Sequence, residues 1–308
     1  MDQAPHSAAP PQGVGELSEE SAALKLKDGR ALGFQAFGPR DGVPAFYFHG
    51  FPGSRLEARL APTPGLRLIA VDRPGYGLST RFPGRQLADW PADIGALADH
   101  LGIKRFAVLG ISGGAPYALA CARYLPERIS SVAIVCGVGP PDSPGMNGGT
   151  MRMLTRFGRH RIGYMPLVYL ARLWLCGGDA EKRFLEFRRR VLERLAADSS
   201  QERAAASDAV LRNLFTSFAE GLRRSVSGMV SDARIYASPW PFALKDINAN
   251  IHLWHGTEDR MVPVEVGRAV ASAIPGISAH FEEGEGHFSV IINRSAEIIR
   301  TLREAHQR

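Results

Sequence analysis

The sequence predicts an α/β fold: a mostly parallel sheet flanked by helices, with one helical insertion. Three observations carry that prediction. Short apolar runs alternate with stretches of helical periodicity. The runs are almost continuously apolar, as strands covered on both faces must be. The alternation stops between residues 139 and 240, where only helical patterns occur, and then resumes.

Taken in order, residues 1–20 are rich in Pro, Ala, Ser and Glu and read as a disordered lead-in. They have neither the basic start nor the apolar core of a secretory signal. Residues 22–37 hold two alternating runs around Asp28-Gly29, a hairpin signal that adds antiparallel strands at one edge. Strands are then expected at Pro44–Phe48, Leu66–Val71, Phe106–Leu109, Ser131–Val135, Ile251–Trp254 and Ile277–Phe281. Helical periodicity fills Gln86–Leu101, Gly113–Leu125, Val264–Ile274 and Ser289–Ala305. The insertion opens on the loop signal Gly139-Pro140-Pro141-Asp142-Ser143-Pro144-Gly145 and closes at Ser238-Pro239-Trp240-Pro241. The core therefore comprises residues 21–138 and 241–308, and the helical insertion residues 139–240.

Composition excludes several classes. With 308 residues, 45% hydrophobic and 22% charged, the chain can bury a large core. No run approaches the roughly 18 apolar residues of a membrane span. Its net charge is +6, and residues 140–240 hold 16 Lys+Arg against 10 Asp+Glu. In EKRFLEFRRRVLERL those arginines alternate with Phe, Leu and Val at helical spacing, so they read as a wet helix face rather than a nucleic-acid surface. Cys121, Cys136 and Cys176 lack metal-type spacing. A sparse, odd set suits free thiols in a reducing cytoplasm, and Cys121 and Cys136 are expected in the core.

Gly110-Ile111-Ser112-Gly113-Gly114 joins an apolar strand to a helical pattern. A sharp strand-to-helix turn lifts the serine hydroxyl above the sheet edge, and its packing demands very small residues two before and two after. In a chain with 33 Gly the pentapeptide alone is weak, so context decides. A hydroxyl needs a base, and the base an orienting acid. Asp259 follows the strand Ile251–Trp254, and His287 the strand Ile277–Phe281. Both lie at C-terminal strand ends, where open α/β sheets place their crevice. Asp142 is the alternative acid and Glu258 a weaker one. Two N–H donors should face the developing oxyanion. Gly113 supplies one, and Phe51, in His49-Gly50-Phe51-Pro52-Gly53-Ser54, the other.

Together HGFPGSR, VDRPGYGLST, GISGG, HGTEDRMVP and GEGHFS resemble the α/β-hydrolase superfamily over about Leu24 to Leu302. The resemblance implies an α/β-hydrolase fold with the insertion as a helical cap that sets substrate choice. It implies a serine hydrolase in which Ser112, His287 and Asp259 form the triad, with no metal or organic cofactor. The serine separates the chain from the branches with an Asp nucleophile. Prolyl iminopeptidases share HGxPG and DxRGxGxS but usually carry G-x-S-W-G, where this chain has Gly113. The expected substrate is a small molecule with a carboxylic ester or related acyl group. Amidase or peptidase, C–C bond hydrolase, thioesterase and acyltransferase chemistry use the same triad. A non-catalytic small-ligand receptor on the same fold is the reading from a different class.

Overall fold

The computed structural model describes residues 21–61, 63–159 and 161–307. The lead-in of residues 1–20 lies outside them. Eight strands form one sheet: β1 (Ala22–Lys25), β2 (Ala31–Phe37), β3 (Val43–Phe48), β4 (Leu66–Val71), β5 (Phe106–Ile111), β6 (Ile129–Val135), β7 (Ile251–Gly256) and β8 (Ser278–Glu282). Their order is β1-β2-β4-β3-β5-β6-β7-β8. The pairs β1–β2 and β2–β4 are antiparallel, and all others are parallel. The hairpin thus sits at one edge, as Asp28-Gly29 predicts.

The core helices are α1 (Trp90–His100), α2 (Ala115–Tyr124), α9 (Val264–Ala273), α10 (His287–Asn293) and α11 (Ser295–His306). Between β6 and β7 lie six helices among the described residues: α3 (Gly149–Arg159), α4 (Arg161–Cys176), α5 (Ala180–Leu195), α6 (Ser200–Ala205), α7 (Asp208–Leu222) and α8 (Ser227–Tyr236). Among the described residues no helix is long and apolar enough to cross a membrane.

Strand alternation divides the core into two layers. Phe46 and Phe48 of β3 face one way, with Trp90, Ile94 and Leu97 of α1 and Tyr117 of α2. Ala45 and Tyr47 face the other, with Val290 of α10 and Ile298, Ile299 and Leu302 of α11. The insertion has a small core of its own, built on Leu175, Phe184, Leu195, Leu211, Phe215 and Leu222. Phe288, beside His287, packs against it. Cys121 and Cys136 are buried free thiols, whereas Cys176 is exposed.

One expected element is divided. Ser289–Ala305 reads as a single helical stretch, but Arg294 leaves the helical region at φ −98° and ψ 0°, between α10 and α11. Its guanidinium pairs with Glu282 at the end of β8 at 2.6 Å. A one-residue interruption leaves Ile291, Ile298 and Ile299 on the sheet side, so periodicity runs across the break unseen.

Candidate active site

Ser112 follows β5 directly and has φ +52°. A non-glycine residue in the left-handed region is uncommon and requires its surroundings to hold it there. The neighbouring glycines show how. A Cβ on Gly110 would lie 2.8 Å from the Ala118 Cβ and the Gly114 oxygen, and one on Gly114 would lie 2.1 Å from the Phe48 oxygen. The turn closes only because both side chains are absent, and it delivers the chain into α2, whose first turn accepts Pro116.

Asp259 and His287 meet. The His287 Nδ1 lies 2.7 Å from the Asp259 Oδ2, and both side chains are buried. Asp259 Oδ1 accepts the Met261 and Val262 N–H groups, each at 2.8 Å, which fixes the carboxylate plane. Burial alone would push the imidazole toward its neutral form. The Asp259 charge and hydrogen bond, with smaller contributions from Glu202 and Glu57, more than offset it, so the His287 pKa is raised above the ordinary value. Burial likewise opposes ionisation of Asp259, but His287 outweighs it and the carboxyl is held below its usual range. The two other acids stand apart: Asp142 and Glu258 are exposed, and neither hydrogen-bonds to His287. Cys136, His255 and Asp259 bring ligand-type atoms within 4.8 Å of one another behind the pair. With both Asp259 oxygens already committed, a cation there would have to compete with His287 and two backbone amides.

The Phe51 and Gly113 backbones run side by side: a Cβ on Gly113 would lie 3.3 Å from the Phe51 N. The loop holding Phe51 is clamped by Arg73. This guanidinium donates to the His49 carbonyl and, at 2.9 Å, to the Gly50 carbonyl. Arg73 is in turn paired at 2.8 Å with Asp232 of α8, which also receives Arg85, and all three side chains are buried. Tyr236, one turn later, donates to the Gly113 carbonyl at 2.8 Å and sets its ring edge-on to Phe51. A Cβ on Gly113 would stand 2.6 Å from the Tyr236 hydroxyl, so the tryptophan usual in prolyl iminopeptidases has no room in this chain.

Glu202 of α6 accepts the Phe288 N–H at 3.0 Å and the Ser289 N–H at 2.8 Å. It caps α10 from outside, with a carboxylate at the positive end of the helix that begins at His287. Neither Glu202 nor Asp232 has a local sequence signal, because each acts across the insertion boundary. Glu202→Gln replaces one accepting oxygen by a second donor facing the amides. We expect kcat to fall about ten-fold, since charged hydrogen bonds are worth roughly 1.5–3 kcal/mol. The acid limb of the pH–rate profile should also shift downward as the nearby charge is lost. Unchanged kcat and an unmoved limb would remove Glu202 from the site.

Two cavities meet at Ser112. One, of about 120 Å³, reaches from Ser112 and His287 past Glu57 to Leu109, Leu214 and Ile299. The other, of about 260 Å³, lies under α3, α4 and α8 and is apolar, with Met151, Leu154, Phe157 and Val168 in its wall.

The chain belongs to the alpha/beta hydrolase fold family, whose model matches residues 46–293. It is 33% identical over 123 residues to a non-heme chloroperoxidase of Streptomyces lividans, covering 38% of this chain and 45% of that protein. Over the same length it is 29% identical to a bifunctional esterase/perhydrolase of Acinetobacter calcoaceticus, again 38% and 45% of the two. The matches thus span under half of each relative. Among solved structures, a bromoperoxidase from Bacillus anthracis superimposes with TM-score 0.66 at 17% identity, covering 94% of this chain and 100% of that one. At that identity the likeness is one of fold.

Proposed function

We propose that the chain is a serine hydrolase that cleaves a carboxylic ester or related acyl substrate through an acyl-enzyme. Ser112 Oγ attacks the carbonyl carbon while His287 Nε2 takes its proton. Asp259 holds the Nδ1–H tautomer and stabilises the imidazolium. The Phe51 and Gly113 N–H groups receive the oxyanion. His287 then protonates the leaving oxygen, and water, deprotonated by the same imidazole, releases the acid. The helical insertion is the cap that shapes the two cavities.

The observation that carries this reading is the buried Asp259–His287 pair, which opens on the cavity shared with Ser112. The esterase named among the relatives supports the choice of acyl chemistry. A fluorophosphonate probe tests it, since the probe reacts only with an activated hydroxyl. Intact protein should label stoichiometrically, and Ser112→Ala should not label at all. Folded protein that fails to label would remove the reading.

A further inference from the structure

The cavity that Ser112 shares with His287 contains a carboxylate that the triad does not use. Glu57 sits in the short 3-10 helix Arg55–Leu60, which follows the Phe51 loop. Its Oε1 accepts the Tyr47 hydroxyl at 2.8 Å and the Gly50 N–H at 2.9 Å. Among the described residues no hydrogen bond reaches Oε2, and no Lys, Arg or His forms an ion pair with Glu57. Arg73 and His287 act on it through space but do not touch it, and a buried carboxylate with an oxygen left without a direct partner is costly, so one that opens on a cavity invites a partner from within it. Glu57 is half-buried, with the rest of its surface turned to that cavity.

Its position relative to the reacting groups is narrow. A Cβ built on Gly50 would lie 3.5 Å from both Glu57 oxygens and 3.7 Å from the Ser112 Cβ. Carboxylate and serine therefore face each other across a gap the width of one small group. The two cavities differ in the catalytic group each contains. His287 lines the Glu57 cavity and is absent from the walls of the apolar one. The group that departs must receive its proton from His287, so the alcohol portion belongs on the Glu57 side and the acyl chain in the larger apolar cavity.

We propose that Glu57 binds a hydroxyl group carried by the leaving alcohol, so that the preferred substrates are monoesters of a short diol or triol with an apolar acid. This rests on the hydrolase reading for the names of the two portions, though the subsite itself can be read by binding alone. A hydroxyl suits the place better than an ammonium. It can donate to a carboxylate or accept from a carboxylic acid, whereas an ammonium needs the ionised form, and burial pushes the Glu57 pKa up. Glu57 and Ser112 both come within 4 Å of one point beside Gly50, so the hydroxyl must lie close to the ester, as on a short alcohol.

The test uses the full chain carrying Ser112→Ala, which cannot turn over the ligands, and compares 2-hydroxyethyl hexanoate with propyl hexanoate by titration calorimetry. The two differ by a hydroxyl in place of a methyl. The hydroxy ester should bind at least about ten-fold tighter, the scale set by leaving a buried polar group unpaired. Adding Glu57→Leu should erase or reverse that ratio. Adding Glu57→Gln, which keeps an oxygen for Tyr47 and Gly50 and offers an amide donor, should retain most of it. Equal affinities in the protein with Glu57 intact would overturn the proposal without recourse to any variant there. So would a ratio that survives Glu57→Leu, or tighter binding of 2-aminoethyl hexanoate that Glu57→Gln abolishes. Should the hydroxy ester bind preferentially but never be hydrolysed by protein with Ser112 intact, the hydroxyl subsite stands and the hydrolytic reading falls.

Discussion

Ser112→Ala should abolish ester turnover, with kcat falling on the order of 10⁵-fold or more, the scale at which a triad acts as a unit. The other described hydroxyls lining the cavity of Ser112 and His287 are engaged elsewhere: Tyr47 donates to Glu57 at 2.8 Å and Ser295 to the Ile292 carbonyl at 2.7 Å. Cys136 is buried with its sulfur within 4.8 Å of ligand-type atoms of Asp259 and His255, and burial pushes its pKa well up. The variant should fold normally, because alanine keeps the same Cβ at φ +52° and removes only the hydroxyl. Its thermal midpoint should stay close to that of the parent, and full activity in it would end the assignment.

Asp259→Asn should cost about 10⁴-fold in kcat, because an amide cannot both accept the His287 Nδ1–H and stabilise an imidazolium. The pH dependence separates this from simple loss of structure. In the parent, His287 titrates above the ordinary histidine value of about 6.5, and only the neutral ring is a base. Activity should therefore fall as pH drops through that raised value. Removing the Asp259 charge leaves burial as the dominant influence, so the acid limb should move below about 6.5. The ionised pair also stabilises the fold below the unfolded histidine value, a contribution lost as pH rises through the raised one. Asp142→Asn should change neither rate nor limb, since Asp142 is exposed and makes no bond to His287.

The parallel strands and the elbow were legible because burial on both faces writes itself into composition, and because Gly110 and Gly114 have no substitutes where a Cβ would meet backbone. Asp259 and His287 were legible from their places after β7 and β8. What stayed hidden acts at long range. Glu202 reaches α10 across 86 residues of chain, and Asp232 reaches Arg73 across 159. Arg73 lies within VDRPGYGLST, but the motif does not say that its side chain holds the Gly50 carbonyl. Glu57 carries no sequence signal, because a lone Glu in a helical turn is ordinarily a solvent-facing charge, and only the cavity shows otherwise.

The arginine pair around Asp232 bears on how ligands come and go. Separating α8 from the core would strand two guanidiniums and a carboxylate in an apolar interior, a penalty of about 3–5 kcal/mol for one broken partner. Glu202 fastens α6 to α10 on the far side of the site. Between these, Glu220 of α7 pairs with Arg55 at 2.9 Å and the Ser54 N–H donates to the Ser217 Oγ at 2.9 Å, so the insertion is fastened to the core through α6, α7 and α8. Among the described side chains of α4 and α5, none hydrogen-bonds to the core; their bonds run to other parts of the insertion, such as Arg172 to the Leu222 carbonyl and Arg194 to Thr150. Of these two helices only α4 borders the apolar cavity, through Met165 and Val168, so this part of the cavity wall is not hydrogen-bonded to the core by any described side chain. On the acyl chemistry proposed above, an acyl chain would enter along that wall while Ser112, His287 and Asp259 keep their places.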